Sequence, residues 1–424
     1  MKDIFITNLH IKLVRHLKDL KIPLSSTERQ HLILTGRNGS GKTSVLLALK
    51  NYLQLTENQS NGIYIIQQEK ENLNLYNNQL LPIVQKLSQP NLLDAERQRL
   101  LRDKATYEQV RVNAQAFLAK TDSALSVEIN GLQHLTNMFK SKDFILKLFD
   151  TARVSSFAKP DGPRKLTFQE MYGLDTKLNS VFLQYLVNLR YDKLDAKENN
   201  EVSAVQKIDE WFDTFIKSLR NLFDEPQLQL VFERAHYNFN IVLPNREKFD
   251  LNTLSDGFSA VMNILTELLL RMNHQRVQRY DIQGIVMIDE IETHLHIDLQ
   301  KKILPFLTSF FPKIQFIVTT HSPFVLTSVK NAVIYDLEKQ QPIHDLTGYS
   351  VEAIIKGYFN SDKYSDVLKT LVAQYEQLMS KPNLLAWETE QLKSLKQYFK
   401  DLSYQFAPEL KLKIQQIELA HLLR

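Results

Sequence analysis

The sequence predicts an α/β protein with a mixed sheet, and three observations carry that expectation. An apolar run, His31-Leu32-Ile33-Leu34-Thr35, leads straight into a glycine-rich turn. The segment after the turn, residues 44–53, has Val45, Leu46, Leu49 and Leu53 at helical spacing on one face. Two further apolar runs, 284–288 and 314–320, each lie beside a helical pattern, as in the second half of an α/β core.

The remaining elements follow in chain order. Residues 1–35 read as short strands, with Ile4, Ile6 and the stretch 11–14 apolar. From 69 to 120 glycine vanishes and charged residues and Gln dominate, the composition of exposed helices, so a short helical insertion is expected there. Strands are expected at 126–130 and 143–150, followed by a loop at 158–164 that contains Pro160-Asp161-Gly162-Pro163. A long amphipathic helix covers 201–223, and the alternating segments 228–232 and 237–243 form a hairpin around Arg234-Ala235. Beyond 349 the chain is mostly helical and rich in Lys, Glu and Gln. These readings divide the chain into a first lobe at 1–68, a helical insertion at 69–125, a mixed arm and coupling region at 126–250, a second lobe at 251–345, and a helical C-terminal region at 346–424.

Composition sets outer limits. The 424 residues are 43% hydrophobic, enough for one large or two ordinary domains with sizeable cores. Lys and Arg number 52 against 48 Asp and Glu, a formal charge of +4, which gives no support to bulk nucleic-acid coating. The absence of cysteine rules out disulfides, thiolate zinc sites and iron–sulfur ligation, and fits a reducing cytosol. The opening residues lack the apolar core of a signal peptide, and no run approaches the roughly 20 apolar residues of a membrane helix. A cytoplasmic protein without a membrane partner is the expectation.

The glycine-rich turn is Gly36-Arg37-Asn38-Gly39-Ser40-Gly41-Lys42-Thr43, which fits G-x-x-x-x-G-K-[ST] and stands between strand and helix as phosphate binding requires. Its glycines, Gly36, Gly39 and Gly41, let backbone amides converge on phosphate oxygens, with the helix dipole behind them. Asn38, Ser40 and Ser44 complete the cradle, Lys42 reaches the β- and γ-phosphates, and Thr43 offers a hydroxyl to Mg²⁺. Three of the chain's 11 glycines fall in this turn, which argues against coincidence.

A second site signal is the apolar run 284–288 ending in Asp289-Glu290 at the carboxyl edge of a strand. With a phosphate loop upstream, Asp289 is the expected Mg²⁺ ligand and Glu290 the residue that orients and deprotonates an attacking water. The spacing of His294 and His296 also allows a metal pair.

The order of motifs now becomes recognisable. Thr253-Leu254-Ser255-Asp256-Gly257-Phe258-Ser259, ahead of a helix at 260–272, resembles the ABC signature L-S-G-G-Q, departing from it at Asp256 and Phe258. Together with the phosphate loop, Ile288-Asp289-Glu290-Ile291-Glu292-Thr293-His294-Leu295-His296, and Thr319-Thr320-His321-Ser322-Pro323-Phe324, the set resembles the RecF, Rad50 and SMC branch of ABC ATPases over residues 1–345. Within it the chain is most similar to ATPase subunits of bacterial anti-phage systems, Septu first and PARIS next. The resemblance implies an ABC-type ATPase head whose ATP site is composite. Ser255 and the Gly257 amide would then grip a γ-phosphate bound by another copy. His321 becomes the switch residue that senses the γ-phosphate, and His294 and His296 fall in a loop at the dimer interface. It also implies a glutamine linking Mg²⁺ to the coupling arm, for which Gln67 and Gln68, after an apolar strand, are the candidates.

No Toprim acidic triad or H-N-H constellation follows residue 336, and His344 and His421 stand alone. If the chain serves defence, the effector, a nuclease of HNH or Toprim type, is expected in a separate partner. The C-terminal region is then either its dock or a lid over the ATPase lobe. Two other functions stay open. One is a RecF-like repair ATPase that clamps DNA, with Lys12, Arg15, Lys18 and Lys21 and later Lys140, Lys142 and Lys147 as a basic strip. The other is a regulatory ABC protein that touches no nucleic acid. Arg15 and Arg153 are read as nucleotide or partner contacts, or as ordinary surface arginines.

Overall fold

The structure is a computed structural model that describes residues 3–58, 62–141, 143–169, 172–272, 282–343, 346, 348, 353–354, 366–401 and 408–422. Two compact units divide it, residues 1–348 and 349–424.

The first unit opens with β1 (Ile6–Val14) and β2 (Leu17–Pro23), which pair antiparallel with Val14 opposite Leu17, and continues to β3 (His31–Thr35). The helix α1 (Lys42–Asn58) starts inside the glycine-rich turn, and a two-helix insertion follows, α2 (Gly62–Leu87) and α3 (Asp94–Thr121). Then come β4 (Leu125–Ile129), α4 (Leu132–Lys140) and β5 (Phe144–Phe149). The arm comprises α5 (Phe182–Glu198), α6 (Val202–Phe223), β6 (Gln229–Glu233), β7 (Asn238–Val242) and β8 (Phe249–Asp250). The second lobe is α7 (Asp256–Met272), β9 (Gln283–Ile288), α8 (Ile297–Phe310), β10 (Ile314–Thr319), the short α9 (Pro323–Leu326), β11 (Ala332–Asp336) and β12 (Gln341–Ile343).

Six strands form the central sheet in the order β12, β11, β3, β10, β9, β5. All neighbours are parallel except β12, an antiparallel edge on β11. The parallel strands β3, β9 and β10 are buried along their whole length, because layers cover both faces. That is why they read as unbroken apolar runs. Polar residues interrupt them only near the ends, Thr35 and Thr319 at the carboxyl ends and Gln283, Gln315 and His31 at the amino ends. Gln283 Oε1 accepts from the Ile4 amide at 2.7 Å, and Gln315 accepts from the Ile6 amide at 2.7 Å while its Nε2 donates to the carbonyls of Ile6 and Gln30. His31 Nδ1 accepts from the Phe316 amide at 3.1 Å. The two glutamines stitch the start of the chain onto the parallel sheet, and one apolar core joins the small sheet β2–β1–β4, α1 and the central sheet.

The sequence expectation is corrected at one point that matters for the site. No strand precedes Gln67: residues 62–66 form the first turns of α2. An apolar stretch that short fits strand or helix by periodicity alone. What decides is that Ile63 and Ile66, three residues apart, bury one face in the core around α1. The helices α4 and α5 also went unread in sequence, whereas the hairpin at 228–243 is β6 and β7, with β8 added as a third strand. Aromatic packing holds the arm, with Phe215 on Phe182 at 5.6 Å and on Trp211 at 5.3 Å between ring centres.

The second unit contains α10 (Asp366–Ser380), α11 (Ala386–Asp401) and α12 (Pro408–Leu422). It has its own core, in which Val372, Tyr375 and Met379 follow helical spacing against Leu395, Phe399, Leu410 and Ile414. Glu388 receives the Leu385 amide at 3.0 Å and the Lys381 ammonium, a local tie at the turn between α10 and α11.

Candidate active site

The glycine-rich turn joins the carboxyl end of β3 to α1. Gly36, Gly39 and Gly41 have φ of 131°, 86° and 98°, the region that side-chain-bearing residues rarely adopt. At Gly36 space is short as well, since a Cβ would meet Ser40 Oγ at 2.8 Å and the Glu338 amide at 3.2 Å. Lys42 is 5% exposed and folds back on the turn, with Nζ donating to the carbonyls of Gly36 at 2.8 Å and Arg37 at 3.2 Å. Burial lowers its pKa, and Glu290, Glu292, Asp289 and Asp336 oppose that shift. The Ser40 hydroxyl is buried beside Gly36 with no hydrogen-bond partner among the described residues. Asn38 is exposed at the tip, and Ser44 is half-buried on the first turn of α1.

Beside the turn, β9 delivers Asp289 and Glu290. The Asp289 amide donates to the Phe149 carbonyl at 2.9 Å, which extends the β5–β9 ladder by one rung. Asp289 Oδ2 accepts from Thr43 Oγ1 at 2.9 Å, and Oδ1 accepts from Thr319 Oγ1 at 2.6 Å. Thr319 Oγ1 in turn accepts the Glu290 amide at 2.6 Å, so one hydroxyl at the end of β10 fixes both acids. Glu290 sits at φ 43° and His294 at φ 66°, so the chain turns sharply twice within five residues. Carboxylate and hydroxyl oxygens at Asp289 and Thr43 are the donor set a hard cation such as Mg²⁺ takes, and the phosphate cradle beside them fits Mg-ATP.

His321 follows β10. Its amide donates to Glu292 Oε1 at 2.5 Å, and its Nε2 is buried with no hydrogen-bond partner among the described residues. Burial, then the positive charge of Lys42, lowers the imidazole pKa, which keeps the ring neutral near neutral pH.

The signature-like segment forms the amino end of α7. Ser255 and Asp256 are exposed, and among the described residues neither side chain bonds to the glycine-rich turn. Gly257 is buried, and a Cβ there would meet the His294 carbonyl at 2.9 Å, so its glycine is required within its own chain. Phe258, the departure from the signature, stacks on Phe223 of α6 with ring centres 4.1 Å apart and an angle of 2°. An aromatic residue stands there because it ties α7 to the arm.

Other expected residues lie elsewhere. Gln67 and Gln68 are exposed on α2, bonded along the helix to Glu71 and Tyr64, and among the described residues neither bonds to Thr43 or Asp289. The residue that follows the strand beside β9 is Asp150. His296 is 81% exposed, and no group of three or more His, Cys, Asp or Glu able to hold a metal occurs among the described residues, so the His294–His296 pair gains no support. The basic strip breaks up. Lys12 pairs with Asp122, and Lys147 is buried against Glu267, where burial lowers its pKa to about 8. Lys142 and His344 lie outside the described residues. Arg153 is no surface residue: it is 2% exposed. Thr319, Glu292 and Arg153 are the site residues whose roles sequence reasoning missed, although Thr319 was visible as a hydroxyl inside an apolar strand.

The family model described as "AAA domain, putative AbiEii toxin, Type IV TA system" matches residues 140–327. Septu protein PtuA of Bacillus mycoides is 24% identical over 413 residues, 93% of this chain and 50% of the relative. The Retron Vc95 probable ATPase of Vibrio cholerae is 23% identical over 448 residues, 91% of this chain and 85% of the relative. The chain therefore spans half the length of that Septu protein. Among solved structures, the SMC head domain from Thermotoga maritima aligns with 78% of this chain and 94% of its own at 13% identity and a TM-score of 0.35. By its own sheet order, glycine-rich turn and paired acids the chain has a phosphate-loop α/β core, and it is similar in sequence to Septu and retron proteins.

Proposed function

We propose that this chain binds and hydrolyses ATP with Mg²⁺ at a site completed by a second copy placed head to tail. The supporting observation is that Lys42, Thr43, Asp289, Glu290 and His321 gather at one sheet edge, whereas Ser255 and Asp256 of the same chain stand exposed and unbonded to that edge among the described residues. The site would take Mg²⁺, whose charge would offset that of the phosphates. Thr43 and Asp289 would hold it. Glu290 orients water and accepts its proton as the water oxygen attacks the γ-phosphorus. Lys42 leaves the carbonyls of Gly36 and Arg37 for phosphate oxygens, neutral His321 faces the γ-phosphate, and the partner's signature segment closes over it.

In this reading the ATP-bound pair is a switch in anti-phage defence that controls a separate effector nuclease, with the helical second unit as its dock. The similarity to Septu and retron proteins supports the defence setting. The DNA-clamp alternative loses weight with Lys12 and Lys147 engaged inside the protein, leaving Arg15, Lys18 and Lys21 exposed on the β1–β2 hairpin. Light scattering of Glu290→Gln with and without Mg-ATP, beside its turnover, tests the proposal. A nucleotide-trapped pair with collapsed turnover is expected. Normal hydrolysis with an assembly indifferent to nucleotide would overturn it.

A further inference from the structure

Arg153 lies just past β5, the strand beside β9, and it is among the largest fully buried side chains of the described protein. Four carboxylates act on its charge, Glu292, Asp289, Asp150 and Glu290. Yet among the described residues it forms no ion pair with any of them. Its guanidinium donates to backbone carbonyls instead: Nη1 to Asp150 at 2.8 Å and Asp289 at 2.5 Å, and Nη2 to Glu290 at 2.7 Å. A planar fork with several fixed donors can span two successive carbonyls in a way that a lysine ammonium cannot.

The consequence falls on Glu290. Its left-handed φ of 43° is a conformation that costs on the order of 1 kcal/mol or more for a residue with a side chain. Three bonds hold it there: Thr319 Oγ1 accepts its N–H, and its C=O accepts from Arg153 Nη2 and from the Thr293 amide at 2.9 Å. With both flanking peptides pinned, the direction in which the Glu290 side chain leaves the backbone is fixed before substrate arrives. Because the fork binds carbonyls, the carboxylate oxygens of Asp289 and Glu290 remain free of it for cation and water, while its charge offsets their mutual repulsion.

The segment that carries Arg153 is anchored at its other end on α7. The Val154 carbonyl accepts from Asn263 Nδ2 at 3.1 Å, the Ser155 amide donates to Ser259 Oγ at 3.0 Å, and the two serine hydroxyls lie 2.7 Å apart, both buried. Ser259 is one helical turn beyond Ser255, whose carbonyl receives its amide at 2.8 Å. A strap of three residues, 153–155, thus links the catalytic turn to the helix that presents the signature-like segment.

We infer that Arg153 is a positioning residue for hydrolysis: it sets the Asp289–Glu290 turn through its two carbonyls, and strap 153–155 ties that turn to the signature helix α7. This rests on the proposed ATPase reading. In a head-to-tail pair, α7 of one chain faces the nucleotide held by the other, so the strap makes the catalytic turn of one site respond to the seating of α7 on the next.

The test uses the full chain and measures Mg-ATP affinity and steady-state turnover separately. Arg153→Gln keeps Mg-ATP affinity within about threefold and lowers kcat by about 100-fold, a size usual for displaced catalytic groups. Arg153→Lys, which restores one donor, falls between. Adding Glu290→Gln to Arg153→Gln lowers kcat no further than Glu290→Gln alone, because both act through one group. Should Arg153→Gln fail to fold, Ser259→Ala and Asn263→Ala release the far end of the strap and lower kcat several-fold at unchanged affinity. The inference is overturned if Arg153→Gln keeps wild-type kcat, if affinity falls in step with turnover, if the two substitutions multiply, or if both strap variants turn over normally. A wild-type chain that does not hydrolyse ATP sinks the function reading and this one with it. Hydrolysis that survives Arg153→Gln but not Glu290→Gln sinks only this one.

Discussion

The two ends of the central strands differ in how they treat buried polar groups. At the amino ends, Gln283, Gln315 and the Nδ1 of His31 are engaged by the backbone around them. At the carboxyl ends, Ser40 Oγ, His321 Nε2 and one oxygen of Glu292 are buried with no partner among the described residues, and Lys42 rests on carbonyls of its own loop. A buried polar atom left unpaired costs about 1–3 kcal/mol, so a fold tolerates several in one place only where something else is served. The amino edge is built for stability and the carboxyl edge for a ligand, as parallel sheets generally arrange.

The largest expected effect breaks the carboxyl edge alone. Glu290→Gln should lower turnover by on the order of 10³-fold while leaving thermal stability within about 0.5 kcal/mol, since the side chain is only half-buried. A matching loss of melting temperature would show that the acid serves the fold. Next in size, Ser255→Arg places a bulky cation on an exposed helix end and should cut turnover by about 10- to 100-fold, with Mg-ATP still bound by the single chain. Turnover that survives this change would mean that the signature-like segment closes no site.

The same contrast explains what the sequence disclosed. Runs such as 284–288 and 314–319 are legible because burial on both faces leaves no period to misread, and the phosphate turn is legible because Gly36, Gly39 and Gly41 answer a local backbone demand. The start of α2 was not, since Ile63 and Ile66 could equally have lined a strand until α1 was there to pack against. In sequence Arg153 reads as a nucleotide or partner contact or as an ordinary surface arginine, because buried arginine is rare. Only the fold brings the carbonyls of Asp289 and Glu290 to it. Glu292 looked like one more acid in a loop, and its bond to the His321 amide depends on β9 and β10 lying side by side.

At the amino edge the prediction reverses. Gln315→Leu strands the Ile6 amide and the carbonyls of Ile6 and Gln30, and should cost about 2–3 kcal/mol of stability without changing Mg-ATP affinity. Chemical denaturation read beside nucleotide titration separates the two. An affinity loss larger than the stability loss would mean that the edges are not independent.

His31 sharpens the comparison through pH. Burial, with a smaller contribution from the charge of Arg29, lowers its pKa from 6.5 to about 4, and its Nδ1 must stay unprotonated to accept the Phe316 amide. Between those two values the unfolded chain binds a proton that the folded chain does not, so stability rises with pH across that window. The contribution is fully present above the unfolded value of 6.5, shrinks as pH falls, and is lost by about pH 4. Between pH 7 and pH 5 this one group should remove about 2 kcal/mol. His31→Asn keeps an acceptor near the Phe316 amide but cannot titrate, so its stability should fall less over that interval by about the same amount, even if it starts lower at pH 7. Equal slopes for the two proteins would place the acid sensitivity elsewhere.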